Sequence, residues 1–160
     1  MKKVIIICVL VVVLVMFFGC KQQININDQE FKEVAGYEVA TMKEEKVDGE
    51  KYTVYKLLYS KTDLFFFNLK YNIKDYTNKY DRDYFKDKAL VVCLFQSPHA
   101  GSKFEVNTVK ISKDYILVEF NERDCFEMDY VEVLCNWICI LELNKDDVKK
   151  SLIVITDYQA

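Results

Sequence analysis

The only histidine of the chain, His99, lies two residues after Ser97 in a short polar segment that also contains the only proline, Pro98. Serine hydrolysis requires a base within hydrogen-bond distance of the hydroxyl, a third group that orients this base, and an oxyanion hole. Two residues of one short loop do not supply these parts, and no other catalytic or cofactor motif occurs in the sequence. We therefore predict a protein that is not an enzyme and that needs no cofactor.

Carboxylates are dense in residues 119–132, which raises the question of a calcium site. Calcium-binding loops place their oxygen ligands at regular spacing around a turn glycine. This segment has neither the spacing nor a glycine. The sequence therefore predicts a solvated acidic loop and no metal site. The carboxylates in question are Glu119, Glu122, Asp124, Glu127, Asp129 and Glu132.

Four cysteines, Cys93, Cys125, Cys135 and Cys139, could form disulfides in an exported protein. Three full pairings are possible, and the sequence does not choose among them. If Cys135 and Cys139 share one strand, they lie about 13 Å apart, too far for a disulfide or for shared zinc coordination. We favour the interpretation that Cys93, Cys135 and Cys139 are small buried apolar residues.

The N-terminus has the pattern of an export signal. Lys2 and Lys3 precede an uninterrupted apolar run, residues 4–18, which Gly19 and Cys20 follow. At about 1.5 Å per residue, a helix of this length is shorter than the ~30 Å hydrocarbon core of a bilayer. This comparison favours a signal peptide over residues 1–19 rather than a membrane-spanning helix.

The end of this run, Phe17-Phe18-Gly19-Cys20, resembles a bacterial lipobox, in which a small residue precedes a cysteine that receives a diacylglycerol group before cleavage. The resemblance implies that Cys20 is the first mature residue and the lipid attachment site. The lipid would anchor the chain to the outer, extracytoplasmic face of the cell membrane. Phe17 departs from the leucine usual in this motif, so an uncleaved signal anchor is the alternative.

The remainder of the chain is predicted to contain one domain. Residues 20–36 would form the lipidated cysteine and a polar tether, and residues 37–160 a single extracytoplasmic domain. Without the signal peptide the chain has 20 basic and 25 acidic residues, a formal charge of −5, and it has no basic stripe. Because such a surface does not attract phosphates, nucleic acid is not an expected partner.

Two β-prone segments flank the serine–histidine loop. Residues 89–95 are consecutively apolar, which predicts a central strand buried on both faces. Residues 103–111 mix apolar and polar side chains, which predicts a strand with one face in water and a bulge between Val106 and Val109.

An earlier part of the chain predicts a hairpin and a helix. Residues 37–47 and 50–59 alternate around an Asp-Gly pair, which favours the type I′ turn of a β-hairpin. Residues 63–71 then predict a short helix that Ser60 or Thr62 caps, although three adjacent phenylalanines are also compatible with a strand. Its apolar residues are expected to cover the sheet. They are Leu64, Phe67 and Tyr71, with Phe65, Phe66 and Leu69 widening the apolar surface.

Residues 131–143 alternate with period two, which predicts one long, bent strand with Trp137 on its inward-facing side. A last strand is expected at residues 152–155. The elements together predict a mainly β fold with minor α content. The expected architecture is an antiparallel β-sandwich or a partly closed barrel of about seven strands with one short helix.

The pattern YFKDKALVVCLFQSPHAGSKFEVNTVKI, followed by WICILELNKDDVKK, resembles small exported lipoproteins of low-GC Gram-positive bacteria. More distantly, it is similar to the C-terminal domain of the protease-complex subunit PrcB. Pro98, Gly101 and Phe104 match the outline of a loop that often reads Pro-Thr-Gly-Gly-Tyr in these proteins, whereas the residues between them depart from it. The resemblance implies an extracytoplasmic β domain that contacts a partner.

These observations predict a membrane-anchored lipoprotein of the bacterial envelope that binds a protein or peptide without catalysis. The alternatives are an accessory or inhibitory subunit of an extracytoplasmic protease, an envelope hydrolase, and a purely structural envelope lipoprotein. The candidate binding loop is residues 96–103. Its proline restricts the backbone angles and its glycine permits angles closed to other residues, so the loop can hold a defined shape. An ordinary strand connection would use the same residue types and is the alternative. Its candidate contact residues are Ser97, Pro98, His99, Gly101 and Ser102.

Overall fold

Two β-sheets and a layer of helices make up the described part of the chain. The computed structural model describes residues 30–45, 53–97, 102–123, 135–148 and 153–159. The strands in these ranges are β1 (Lys32–Glu33), β2 (Glu38–Glu45), β3 (Val54–Leu58), β4 (Lys88–Ser97), β5 (Lys103–Ile111), β6 (Tyr115–Arg123), β7 (Cys135–Asn144) and β8 (Ile153–Gln159). The helices are α1 (Lys61–Tyr71), α2 (Lys74–Thr77) and α3 (Tyr84–Asp87).

The strand order divides the fold into two sheets. The first sheet has the order β1-β5-β6-β8, and the second has the order β2-β7-β4-β3. The predicted fold class is confirmed, because the fold is mainly β with antiparallel pairing and the two sheets do not close into a barrel. One pairing departs from the antiparallel pattern: β8 lies parallel to β6. Parallel neighbours need a long crossover connection, and the chain between them passes through β7 in the other sheet.

Alternate residues of β4 belong to two different cores, so the predicted central strand is confirmed. One core lies between the two sheets, and the other lies between the second sheet and the helices. Burial of each large aliphatic side chain contributes about 1.5–3 kcal/mol, which is why an uninterrupted apolar run is stable only with cover on both faces. The first set is Ala89, Val91, Cys93 and Phe95, and the second is Leu90, Val92 and Leu94.

The predicted hairpin is wrong, although both of its strands exist. β2 pairs with β7 and β3 pairs with β4, so the two strands lie at opposite edges of the second sheet. The physical reason is that β4 and β7 are apolar on both faces, so each is stable only in the interior of the sheet. An interior strand has a hydrogen-bonded neighbour on each side, and β2 and β3 are these outer neighbours. The Asp48-Gly49 turn lies outside the described residues.

The predicted bulge is found in the first sheet. The register of β5 against β6 shifts between Val106 and Thr108, so Asn107 is the extra residue. The long period-two strand was predicted to begin at residue 131, which lies outside the described residues. The described part of this strand is β7, which begins at Cys135.

The predicted helix is confirmed as α1. The Ser60 side chain caps it by accepting a hydrogen bond from the Asp63 backbone N–H at 3.0 Å. The helix ends at Asn72, which has a φ of 52° and donates its N–H to the Asn68 carbonyl. Asparagine tolerates this left-handed conformation better than other residues with a side chain, apart from aspartate.

Two further helical turns, α2 and α3, complete the layer that covers the second sheet. Ile73, Tyr80 and Phe85 are buried around these turns and pack in the same core as α1. The sequence did not predict them, because a helix of four residues is too short to show a 3.6-residue period.

Candidate functional site

The predicted binding loop connects the two sheets. Ser97 ends β4 in the second sheet, and Lys103 begins β5 in the first sheet. Ser97 is 1% exposed and Ser102 is 5% exposed, so both serines lie in the interior and not on the surface. Pro98, His99 and Gly101 lie outside the described residues.

Strand pairing holds the start of this loop in place. Gln96 and Ser97 lie opposite Asn136 and Cys135 in the pairing of β4 with β7. The Gln96 side-chain amide also donates a hydrogen bond to the Asn136 side-chain oxygen at 2.8 Å. Because both backbone and side chain are bonded across the strands, the chain leaves β4 in a defined direction.

Four aromatic rings pack in series beside the two described ends of the loop. The ring of Phe95 lies 5.0 Å from that of Phe120 and 5.2 Å from that of Phe104, measured between ring centroids. Phe104 in turn makes a T-shaped contact of 5.1 Å with Trp137. Trp137 is only 8% exposed, which confirms that it faces inward on β7. Edge-to-face contacts of this kind stabilise a core beyond the area that they bury.

Two buried polar atoms beside Phe104 have no hydrogen-bond partner in the structure. They are the indole Nε1 of Trp137 and the carboxylate Oε1 of Glu122, which lies directly opposite Phe104 in the pairing of β5 with β6. A buried donor or acceptor without a partner costs about 1–3 kcal/mol, so such atoms are uncommon in folded proteins. Phe104, two residues after Ser102, is therefore flanked by one buried N–H donor and one buried carboxylate acceptor.

The acidic segment is only partly described. Glu119 lies on β6, is buried, and accepts hydrogen bonds from Lys110 Nζ at 2.7 Å and from the Thr108 hydroxyl. The Lys110 bond, followed by the Thr108 bond, lowers the pKa of Glu119 below its ordinary value. Among the described residues no three His, Cys, Asp or Glu side chains are placed to hold a metal ion. Four of the predicted loop carboxylates lie outside these residues: Asp124, Glu127, Asp129 and Glu132.

Cys93, Cys135 and Cys139 are buried, as predicted, and Cys93 and Cys139 are free thiols. Cys93 and Cys139 lie directly opposite each other in the pairing of β4 with β7. Burial raises the pKa of Cys139 to about 12 and raises that of Cys93 well above its ordinary value. A thiol must lose its proton to act as a nucleophile or metal ligand, so neither residue is suited to that chemistry. Cys125 lies outside the described residues.

A phenol–carboxylate cluster lies on the helical side of the second sheet. The Tyr80 hydroxyl donates to Glu142 Oε1 at 2.8 Å, and Lys79 Nζ lies 3.1 Å from the same oxygen. Burial, together with the bond to Glu142, raises the pKa of Tyr80. The phenol therefore stays protonated, and the cluster joins the helical layer to β7 without supplying an acid, base or nucleophile. The sequence did not indicate it, because its residues are 62 positions apart.

One face of α1 is not covered by the described chain. Phe65, Phe66 and Leu69 are 60%, 62% and 74% exposed, so the expectation that they widen the surface packed on the sheet is wrong. Only Leu64 and Phe67 are buried, because a straight helix contacts a sheet along one stripe. A groove of about 330 Å³ runs between this helix and β3. Its lining includes Val54, Leu58, Phe66 and Tyr71, with Lys56, Asp63 and Lys70.

A larger concavity of about 540 Å³ lies beside β1 and the end of β5. Side chains of both charges line it, among them Glu30, Lys32, Lys113 and Asp147. Because these charges are mixed and mostly solvated, the concavity has no single chemical character that indicates a ligand.

No helix among the described residues is both long and apolar enough to cross a membrane. Comparison with protein-family models, with curated proteins and with solved structures finds no match to this chain.

Proposed function

We propose that the protein is a lipoprotein of the bacterial envelope, anchored by Cys20, that binds a protein or peptide without catalysis. The observation that supports binding most directly is the base of the loop that connects β4 to β5. Its two ends are buried in different sheets, and the unpartnered Trp137 N–H and Glu122 carboxylate oxygen lie beside Phe104, two residues after its second end.

Both atoms are buried, so a peptide contacts them only by displacing the side chains that cover them. A backbone carbonyl of the peptide would then accept a hydrogen bond from the indole N–H of Trp137, and a backbone N–H or a cationic side chain would donate to Glu122. Because strand pairing holds the loop ends before a partner arrives, little conformational entropy is lost on binding. Loops carried on a rigid β-scaffold bind partners in this way in many extracellular proteins.

The loop proposal is tested by locating the partner and then removing the contact. A photoreactive amino acid at position 99 in living cells should cross-link to a partner that mass spectrometry identifies. Replacement of His99, Ala100 and Gly101 by three other turn-forming residues should then weaken binding of that partner without lowering the melting temperature. The matched control is the Lys113-Asp114 turn between β5 and β6, replaced by Asn-Gly. Unchanged affinity in the loop variant would make the loop a simple connector.

The anchor is tested separately. Cys20→Ala removes the thiol that receives the diacylglycerol group, so a metabolically supplied radioactive fatty acid should label the natural chain and not the variant. Equal labelling of both chains would refute the assignment of Cys20. An uncleaved signal anchor would leave both chains unlabelled but still in the membrane fraction.

The second candidate function is an accessory or inhibitory subunit of an extracytoplasmic protease. It is supported by the resemblance of the last part of the chain to the C-terminal domain of PrcB. Of the three loop positions that carry this resemblance, Phe104 is a core residue that packs on Phe95 and Trp137. A protease as the species cross-linked at position 99 would favour this role over that of a general peptide-binding module.

A further inference from the structure

The uncovered face of α1 is a rigid apolar surface. Leu64 and Phe67 fix the helix on the second sheet, and Lys61 Nζ donates a hydrogen bond of 2.5 Å to the Tyr80 carbonyl. On the opposite side Phe65 and Phe66 make a T-shaped contact of 5.5 Å, and Leu69 follows one turn later on the same face. The helix therefore has two apolar stripes, and only the stripe of Leu64 and Phe67 is buried.

The surroundings of this face are positively charged in an acidic protein. Lys56 and Lys70 line the groove beside Phe66, together with Asp63, and both lysines are exposed. The whole chain, by contrast, has a formal charge of −3. Exposed aromatic and aliphatic side chains bordered by lysines are typical of helices that lie in a membrane interface and contact anionic lipid headgroups.

We propose that the outer face of α1 docks on the anionic surface of the membrane that anchors the chain. Phe65, Phe66 and Leu69 enter the boundary between headgroups and acyl chains, and the surrounding lysines contact the headgroup phosphates. The proposal rests on the proposed function, because the lipid on Cys20 is what brings the domain to the membrane.

The length of chain before the domain allows this contact. Nine residues lie between Cys20 and Glu30, where the described chain begins. The ten Cα–Cα steps span at most about 36 Å, and a domain of this size is about 35 Å across, so the extended tether can place Glu30 about one domain width from the bilayer. A short tether also gives a high effective concentration at the membrane, so that a weak interaction is enough to orient the domain.

Photochemical cross-linking identifies what lies against α1. The full-length lipidated chain is reconstituted in vesicles of equal parts phosphatidylglycerol and phosphatidylcholine, with a benzophenone amino acid at position 66. The matched control carries it at position 113, an exposed turn of the first sheet. We expect lipid adducts at position 66 and far fewer at position 113. Vesicles of phosphatidylcholine alone should reduce the adducts at position 66, because the anionic headgroups are absent.

Variants test whether the apolar side chains are responsible. With the benzophenone at position 65, Phe66→Ser combined with Leu69→Ser should reduce lipid adducts by about tenfold or more, since two apolar side chains no longer gain from burial in the interface. Val39→Ser is the control, because Val39 is a 41% exposed apolar residue on β2. It should leave the adducts unchanged.

Three results would overturn the proposal: equal lipid adducts at positions 66 and 113, no lipid adducts at position 66, or polypeptide adducts in their place. Polypeptide adducts would show that a second copy covers α1 in vesicles, or that another protein covers it in cell membranes. Fatty-acid labelling of Cys20 is read independently. Lipid adducts at position 66 without label on Cys20 would refute the proposed anchor and support the docking surface.

Discussion

Substitution of Trp137 by alanine tests whether the aromatic core beneath the loop stabilises the domain. A buried tryptophan removes about 150–250 Å² from water. At about 25 cal/mol per Å² this corresponds to ~4–6 kcal/mol, an upper bound because the unfolded chain already buries some of this area. The unpartnered indole N–H offsets the gain by about 1–3 kcal/mol. The difference is about 1–5 kcal/mol, and the cavity that alanine leaves adds to it, so Trp137→Ala should lower the free energy of unfolding by about 3–5 kcal/mol, the usual range for such substitutions.

Substitution by phenylalanine separates the ring from the N–H group. Trp137→Phe retains an aromatic ring against Phe104 and removes the donor that has no partner, so its cost should be below about 1.5 kcal/mol. If this N–H binds the partner, as proposed, the same variant should also lower the affinity for the partner while the fold remains intact.

Equilibrium urea unfolding followed by far-UV circular dichroism measures both variants, since the chain has no second tryptophan for fluorescence. With a slope of about 1–3 kcal/mol per molar urea, the alanine variant should unfold at least about 1 M earlier. An alanine cost well below 1 kcal/mol would show that Trp137 is not a packed core residue. A phenylalanine cost as large as that of alanine would show that the N–H is bonded within the protein.

Three further predictions concern capping, pH and thiol reactivity. Ser60→Ala should lower the free energy of unfolding by about 0.5–2 kcal/mol in urea titrations, because it removes the helix cap, while Thr62→Ala should cost much less. Hydrogen bonds from a lysine and a threonine lower the pKa of Glu119 in the folded state. The ionised carboxylate therefore contributes its full stabilisation above the pKa of unfolded glutamate, ~4.3. This stabilisation is lost as the pH falls through the lower pKa of the folded state. Glu119→Gln should therefore flatten the acid side of the stability–pH curve, and an unchanged slope would contradict this assignment. Cys93 and Cys139 should react with maleimide only in urea, which peptide mapping by mass spectrometry measures, because burial raises the pKa of both thiols.

Elements that depend on local pattern were predictable from the sequence. The apolar run of β4 indicated a strand with two buried faces, since only a central strand with cover on both sides stabilises such a run. The break in alternation after Val106 indicated the bulge, because one extra residue shifts every later side chain to the other face. Ser60 indicated where α1 begins, since its side chain satisfies an N–H that the helix itself cannot.

Elements that depend on distant parts of the chain were not predictable in the same way. The Asp-Gly pair favours a tight hairpin, but this preference of at most a few kcal/mol competes with the pairing of two long apolar strands. β7 and β4 separate β2 from β3 because each needs two neighbours. Equally, the sequence marked residues 96–103 as a loop, but it did not show that Ser97 and Ser102 are buried, since that follows from the loop's passage between the sheets.

The two apolar faces of α1 illustrate how sequence and structure had to be combined. Leu64 and Phe67 lie on one face at helical spacing, and Phe65 and Leu69 lie on the other, so the sequence contains both stripes without indicating which one the sheet covers. The structure shows that the stripe of Phe65 and Leu69 has no cover among the described residues. The sequence in turn supplies the neighbouring lysines and Cys20, the proposed lipid attachment residue, ten positions before the described chain begins. In the proposed docking, a membrane surface covers the exposed stripe and also contacts the neighbouring lysines, which a purely apolar partner would not do. The loop that connects β4 to β5 then remains available for the proposed peptide.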